Sequence, residues 1–453
     1  ALDPELAGKV FENLLAAYNP ETSTTARRLA SWNPYDQNAS ADFFDAEWMF
    51  GISDGFDVAI GNPPYVSALD FARIYGDALR EQLNARYESA TGAYDFFVLF
   101  VEQGLKLCKQ FGHLCFITPN KYLAAKYAVG LRGWILKQAS LKQLLDVSPI
   151  PVFEEAAVYP VVSIFCKDGG QAATISVSLP TTRNLERFAI EHYEQSNVPA
   201  DWLRMLPENI WGFLLSKHAK LLPKLMKCVD PLSKLGEVNA TSTAAEADEY
   251  GRFLTAARGT DGLKIINTGT IDPYISLWGA TEMTHAGKKL LTPYLPVAQA
   301  KVNARRLAMY KSPKIIFAKM AKSCEAVIDA SGEFASLNTN CFYSPRPNVS
   351  LKYVGGVCNT RMFMFLYDLF FGALRMSGGY YQFQAPQLRV IPFARADAKQ
   401  QRRIEETVDR ILATKKKNSD ADTTALEREI DQQVYALYGL TPEEIAIVEK
   451  TPT

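Results

Sequence analysis

Apolar positions recur at helical spacing at the start of the chain. Leu6, Val10, Leu14 and Leu15 predict a helix over residues 5–18, closed by Asn19-Pro20, and residues 19–40 are rich in Asn, Pro, Ser and Thr and read as irregular chain. The pattern changes at Gly55. Phe56-Asp57-Val58-Ala59-Ile60 predicts a short strand that stops at Gly61-Asn62-Pro63-Pro64-Tyr65. Tyr94 to Leu107 reads as a helix packed through Phe97, Phe100, Val101 and Leu105. Gly112 marks a turn, His113 to Ile117 a strand, and Thr118-Pro119-Asn120 a loop. A helix over roughly 124–138, a strand from Leu141 to Val147, a loop through Phe153 and a strand from Val161 to Phe165 complete an alternation of strands and helices. That alternation predicts βα units and an α/β domain with a parallel or mixed sheet.

Lys167-Asp168-Gly169-Gly170 punctuates the end of this unit. Beyond it, helices are expected near 207–227, and short β-like runs such as Lys314 to Ala318 and Glu325 to Asp329 follow among Gly and Asn, as in a second domain of different architecture. After Ala394 the chain is highly charged. Ile404, Val408, Ile411 and Leu412, and then Leu426, Ile430, Val434 and Leu437, predict two amphipathic helices, and Thr441-Pro442-Glu443-Glu444 starts a third. No internal repeat is visible.

At 453 residues the chain exceeds one ordinary core and predicts two or three domains. Its 49 basic and 49 acidic residues give no net attraction to a polyanion, so nucleic-acid contacts have to come from local patches. Seven scattered cysteines without CxxC spacing read as buried thiols of a reducing compartment, and four dispersed histidines offer no metal cluster. No positive region followed by an apolar stretch opens the chain, and the most apolar segment, Met362 to Leu374, contains Asp368 and is too short to span a bilayer. A cytoplasmic protein without a membrane partner or a metal is expected. A start at Ala1, not Met, suggests processing or a piece of something longer.

Asn62-Pro63-Pro64-Tyr65 is the sharpest chemical feature, because ligands of open α/β sheets sit beyond the carboxyl ends of strands. Two prolines stiffen the backbone and leave carbonyls as acceptors; Asn62 adds a side-chain oxygen and Tyr65 an aromatic ring. Acceptors beside a ring suit an exocyclic amine on a planar base. Gripping the amine hydrogens also favours charge developing on its nitrogen. A base paired within a duplex reaches such a site only by flipping out. A rigid Pro-Pro turn with a structural Asn is the plainer alternative.

Asp57 through Tyr65 resembles the catalytic motif of adenine-specific DNA methyltransferases of restriction–modification systems, in the gamma-class arrangement. The likeness continues through Gly92-Ala93-Tyr94-Asp95-Phe96-Phe97, Gly112 to Tyr122 and Pro151-Val152-Phe153-Glu154-Glu155-Ala156-Ala157-Val158-Tyr159-Pro160. It implies catalytic roles for Asn62, Pro63, Pro64 and Tyr65, with Tyr65 stacking the target base. Phe153 is a second wall of the pocket or a core residue. Asp42, in Ala41-Asp42-Phe43-Phe44, resembles an acidic contact to S-adenosylmethionine, the implied cofactor, or else is a capping residue. Asn267 to Tyr274, Ser312 to Ile316 and Ser377 to Phe383 resemble a target-recognition domain, and Tyr435 to Thr441 resembles the carboxyl termini of these proteins.

The implied fold class is α/β: a partial Rossmann-like methyltransferase domain, a mixed α+β target-recognition domain and a helical C-terminal tail. The expected boundaries are 1–30 for an N-terminal helical remnant, 31–170 for the partial catalytic domain, 171–395 for target recognition and 396–453 for the tail. The pattern departs from the family in one place. The Gly-rich donor loop should lie between Thr24-Thr25-Ala26-Arg27 and Trp32-Asn33-Pro34-Tyr35-Asp36, and it is missing there, as after an internal deletion between Arg28 and Trp32. Losing those strands would expose an apolar sheet edge and call for self-association or for a separate donor-binding or nuclease region.

Double-stranded DNA is the implied partner. Lys301, Arg305, Arg306, Lys311, Lys314, Lys319 and Lys322 form a basic run that either neutralises phosphates or is an ordinary solvated face. Gln382 and Gln384, within Gly378-Gly379-Tyr380-Tyr381-Gln382-Phe383-Gln384, could read an adenine edge, while Phe383 reads as core. Two readings follow: an N6-adenine methyltransferase inactive as this chain alone, or a non-catalytic DNA-binding specificity protein derived from one.

Overall fold

A computed structural model describes residues 46–152, 159–182 and 185–450. Its first sheet opens with β1 (Phe56–Gly61). The helix α1 (Phe97–Leu107) then crosses to β2 (Cys108–Pro119), which lies parallel to β1. Phe97, Val98, Val101 and Leu105 of α1 are buried on the sheet; Phe100 is instead 38% exposed. Gly104 lets this helix approach closely, since a Cβ there would meet the Leu114 side chain at 2.7 Å.

The turn expected at Gly112 is a bulge inside one longer strand. Phe111 takes a positive φ of 64°, the β1–β2 register shifts between Phe56 and Val58, and a Cβ on Gly112 would lie 2.7 Å from the Phe56 carbonyl oxygen. After α2 (Val129–Gln138) come β3 (Ser140–Asp146), β4 (Pro160–Cys166), β5 (Thr174–Pro180) and β6 (Tyr193–Pro199). The spatial order is β1-β2-β4-β3-β5-β6; β3 and β5 are parallel, and the other pairs beyond β2 are antiparallel. The alternation thus yields a mixed sheet. It runs past residue 170 to Pro199, because β5 and β6 extend the same ladder.

Among the described residues β1 is an edge strand. Parallel strands usually have both faces covered, yet Val58 is 53% and Ile60 78% exposed. Where helices were expected over 207–227, short 3-10 turns and one helical turn at Leu222–Leu225 carry the chain onward. This connector is pressed tightly between the two halves. The Trp211 N–H donates to the Leu123 carbonyl at 2.7 Å, and a Cβ on Gly212 would stand 2.0 Å from the Phe370 carbonyl oxygen.

The second region contains β7 (Glu237–Ala240), α3 (Ala304–Lys311), β8 (Lys314–Phe317), β9 (Met320–Ala321), β10 (Ala326–Asp329) and β11 (Asn340–Tyr343). Strands β10, β8, β11 and β7 form an antiparallel sheet in that order. Beneath it lie α4 (Leu351–Cys358) and α5 (Arg361–Phe371). The most apolar segment of the chain is therefore largely a core helix: Met362 through Tyr367 and Leu369 through Phe371 are all buried. Among the described residues no helix is long and apolar enough to cross a membrane.

After β12 (Tyr381–Gln382), the charged terminus forms α6 (Ala398–Lys417), α7 (Thr424–Leu437) and α8 (Pro442–Lys450). Ile404, Val408, Ile411, Ile430 and Val434 are buried along the predicted stripes. The start of α8 is capped reciprocally. The Thr441 N–H donates to Glu444 at 2.7 Å, and the Glu444 N–H donates to the Thr441 hydroxyl at 3.3 Å.

Candidate functional site

The carboxyl ends of β1 and β2 place Asn62-Pro63-Pro64-Tyr65 beside Ile117-Thr118-Pro119-Asn120. Gly61 pairs with Phe116 as the last step of the ladder, and then the prolines end β1 by removing its donors. Asn62 and Pro64 are exposed, while Pro63 is buried. Tyr65 is half-buried. Its hydroxyl donates to the Ile117 carbonyl at 2.9 Å, and its ring meets Phe97 edge-on at 6.3 Å. Burial pushes that hydroxyl up to about 12, so it stays protonated and serves as an anchor. The polar tip of Tyr65 fixes the elbow to the neighbouring strand, and Asn62 is left exposed at the surface.

A second motif braces the exit of the elbow. The Phe96 N–H donates to the Val66 carbonyl at 2.7 Å, Ser67 bridges to Asp95, and Asp95 accepts from the Tyr127 hydroxyl at 2.6 Å. Gly92–Phe97 and Asn62–Tyr65 are thus one physical unit, although 26 residues carrying two helices, Ala68–Tyr75 and Asp77–Arg86, lie between them in sequence. Asp42 and Phe153 lie outside the described residues.

The basic run divides. Lys301, Arg305, Lys311 and Lys322 are exposed, and Lys319 is half-exposed. Lys314 is not a DNA contact: it is 0% exposed on central strand β8, where its ammonium binds Asp329 at 2.6 Å and the Tyr310 carbonyl at 2.5 Å. Arg306 is also engaged internally, with Glu246 at 2.6 Å and the Ala240 carbonyl at 2.7 Å. The sequence showed their charge but could not show that these two are consumed by the fold.

The end of the run and the glutamine segment do come together. β9 pairs antiparallel with β12, matching Met320 with Gln382 and Ala321 with Tyr381. Lys322 stands 5.6 Å from the Tyr380 ring centre. The amide of Gln384 donates to Gln382, and that of Gln382 to the Met376 sulfur at 3.1 Å. Phe383 is fully buried, as expected for core. Lys319, Lys322, Tyr380 and Gln382 are therefore brought together by one long-range two-stranded ladder.

A donor cradle is not formed by the described residues. No strand lies outside β1 among them, and the two glycines preceding it serve other ends. A Cβ on Gly55, at φ +95°, would clash with the Leu107 carbonyl at 2.7 Å, so this glycine admits the start of β2; Gly51 has nothing within 4 Å. The described residues by themselves do not fit S-adenosylmethionine. Two groups escaped the reading of the sequence, Thr118 and Asn120, whose buried polar atoms lack partners among the described residues. The sequence places them in a loop within the likeness at Gly112 to Tyr122; in the structure Thr118 belongs to β2 and Asn120 opens a 3-10 turn.

Residues 10–153 match the Eco57I restriction-modification methylase family, and residues 274–393 match the TaqI-like C-terminal specificity domain. The chain is 24% identical to the type II methyltransferase M.PaeR7I of Pseudomonas aeruginosa, over 86% of this chain and 71% of that protein. It is 26% identical to the type II restriction enzyme and methyltransferase RM.Eco57I of Escherichia coli, over 25% of this chain and 11% of that one. Its fold is similar to that of the type IIL restriction-modification enzyme MmeI, solved in complex with DNA. There the TM-score is 0.53 at 12% identity, over 87% of this chain and 56% of the MmeI chain.

Proposed function

We propose that the chain, which matches the Eco57I restriction-modification methylase over residues 10–153 and the TaqI-like C-terminal specificity domain over residues 274–393, supplies the half of an adenine-specific DNA methyltransferase that captures the target base. Adenine swung out of duplex DNA enters beyond β1, and its N6 amine meets Asn62 and the Pro63 carbonyl. Those acceptors hold the two amine hydrogens and stabilise positive charge growing on the nitrogen as it is methylated. Tyr65 keeps the elbow in place and contributes its ring to the wall of the pocket. The two-stranded ladder of β9 and β12 sits on the duplex, with Lys319 and Lys322 toward phosphates and Gln382 toward base edges.

One observation carries this reading: Asn62 is exposed on an elbow whose tyrosine is tied at 2.9 Å to the adjoining strand. S-adenosylmethionine is the methyl donor the family uses, and it would supply the methyl group. The second reading, a DNA-binding protein without transferase activity of its own, is favoured by exposed Val58 and Ile60 on β1, an edge strand among the described residues.

Calorimetric titration with S-adenosylmethionine separates the two. Saturable binding followed by labelled methyl incorporation into plasmid DNA, recovered as N6-methyladenine, is expected for the transferase. Duplex binding with no donor binding leaves the second reading. Label recovered on cytosine would end the adenine assignment.

A further inference from the structure

Next to the elbow, two side chains are buried with hydrogen-bonding capacity left open. Thr118 is 1% and Asn120 6% exposed, and neither Thr118 Oγ1 nor Asn120 Oδ1 has a partner among the described residues. Their backbone is in order. Thr118 pairs with Val161 in the ladder, and the Asn120 N–H donates to the Tyr159 carbonyl at 2.9 Å. Only Thr118 Oγ1 and Asn120 Oδ1 are unmatched. Buried polar atoms of native proteins are nearly always paired, so two orphans two residues apart need a reason.

Their position suggests one. β2 outruns β1 at its carboxyl end: Gly61 pairs with Phe116, while β2 continues to Pro119. Thr118 and Asn120 therefore lie past the point where the chain turns into Asn62-Pro63-Pro64-Tyr65, and Tyr65 is bonded to Ile117, the residue just before Thr118. The loop is backed rigidly. Its 3-10 turn Asn120–Leu123 packs against Gly372–Leu374, and Leu123 accepts from the Trp211 N–H. Collapse onto a floppy neighbour is not open to these groups.

We infer that Thr118 and Asn120 form the inner wall of the nucleotide pocket, where their open valences are completed by the purine edge of the extruded nucleotide. This rests on the capture of adenine proposed above and adds two positioning residues to it. The Thr118 hydroxyl both donates and accepts, and the Asn120 amide oxygen accepts, so together they match an edge of an aminopurine that carries both an amine and a ring nitrogen. Without a ligand they are a local cost to folding that an apolar side chain of equal shape would remove.

The test uses deoxyadenosine monophosphate as probe and deoxyribose 5-phosphate as a control lacking the base, with binding read by ligand-observed NMR on the full chain. Thr118→Val and Asn120→Leu are each expected to weaken the nucleotide at least fivefold and leave the sugar phosphate unchanged, with Tm equal to or above that of the parent. Thr118→Ser, which keeps the hydroxyl, is expected to bind within twofold of the parent. If Asn62→Ala weakens the nucleotide but Thr118→Val and Asn120→Leu bind it like the parent, the inference is overturned and the adenine reading stands. A lower Tm in Thr118→Val with unaltered binding also overturns it, as the mark of a purely structural residue. No preference of the parent for the nucleotide over the sugar phosphate would overturn both.

Discussion

Strands β1 and β8 look alike on paper and have opposite fates. Phe-Asp-Val-Ala-Ile and Lys-Ile-Ile-Phe are both short apolar runs with one charged residue near the start. β8 is paired on both sides and every residue in it is buried, including Lys314. β1 is paired on one side among the described residues and leaves Ile60 78% exposed. Their charges follow the same division. Lys314 is held by Asp329 with both side chains inaccessible, whereas Asp57 reaches Lys109 in solvent. The closed strand holds the molecule together; the open one carries the elbow that can meet a ligand.

Breaking the closed strand should have the larger effect. Lys314→Met leaves Asp329 buried without its cation, although the Glu333 and Phe334 amides still donate to it. A loss of about 3–5 kcal/mol is expected in urea unfolding. A loss near zero would mean that water reaches the pair. On the open side, Asn62→Ala removes the exposed acceptor and, on the transferase reading, is expected to lower methyl incorporation into duplex DNA about 10²–10³-fold at unchanged Tm. Retained activity would remove Asn62 from the site.

A smaller effect should come from Glu325, which follows Cys324 at the edge of the closed sheet. Burial, with Asp272 nearby, pushes its carboxyl up to about 7. A raised acid favours folding while protonated, and that contribution is lost as pH rises from the ordinary carboxylate range through 7. Glu325→Gln is therefore expected to stabilise on the order of 1 kcal/mol at pH 8, a value already reduced for the partial solvent screening of the group. At pH 4 the gain should vanish, and thermal melts at both pH values decide it. The smallest change is expected at Ile60→Thr, within about 0.5 kcal/mol, as for an exposed site. A loss above 1 kcal/mol would show that something covers β1 after all.

How far these differences were legible follows from what a sequence can encode locally. The elbow after β1, the helix over Phe97–Leu107 and the three C-terminal helices were readable because period and punctuation are local. Gly112 was read as a turn, since a glycine between apolar runs looks the same in a bulge. Phe100 was placed with the packing stripe because nothing nearby reveals that the layer beside it ends there. Lys314 and Arg306 were counted with the solvent-facing bases; their acids, Asp329 and Glu246, stand 15 and 60 residues away. The sheet order was not readable either, as β4 inserts between β2 and β3 through pairings that no periodicity reports.

The contact at Gly212 has a consequence for how such a protein could change its specificity. Main chain meets main chain there, with the Phe370 carbonyl where any side chain would begin. The span from the elbow to the β9–β12 ladder is accordingly set by two backbones in abutment, much as a gauge block sets a distance. Residues on the ladder can be exchanged without altering that length. On the proposed reading, new sequences could be read while the methylated position keeps its offset from them, and moving that offset would require rebuilding the joint.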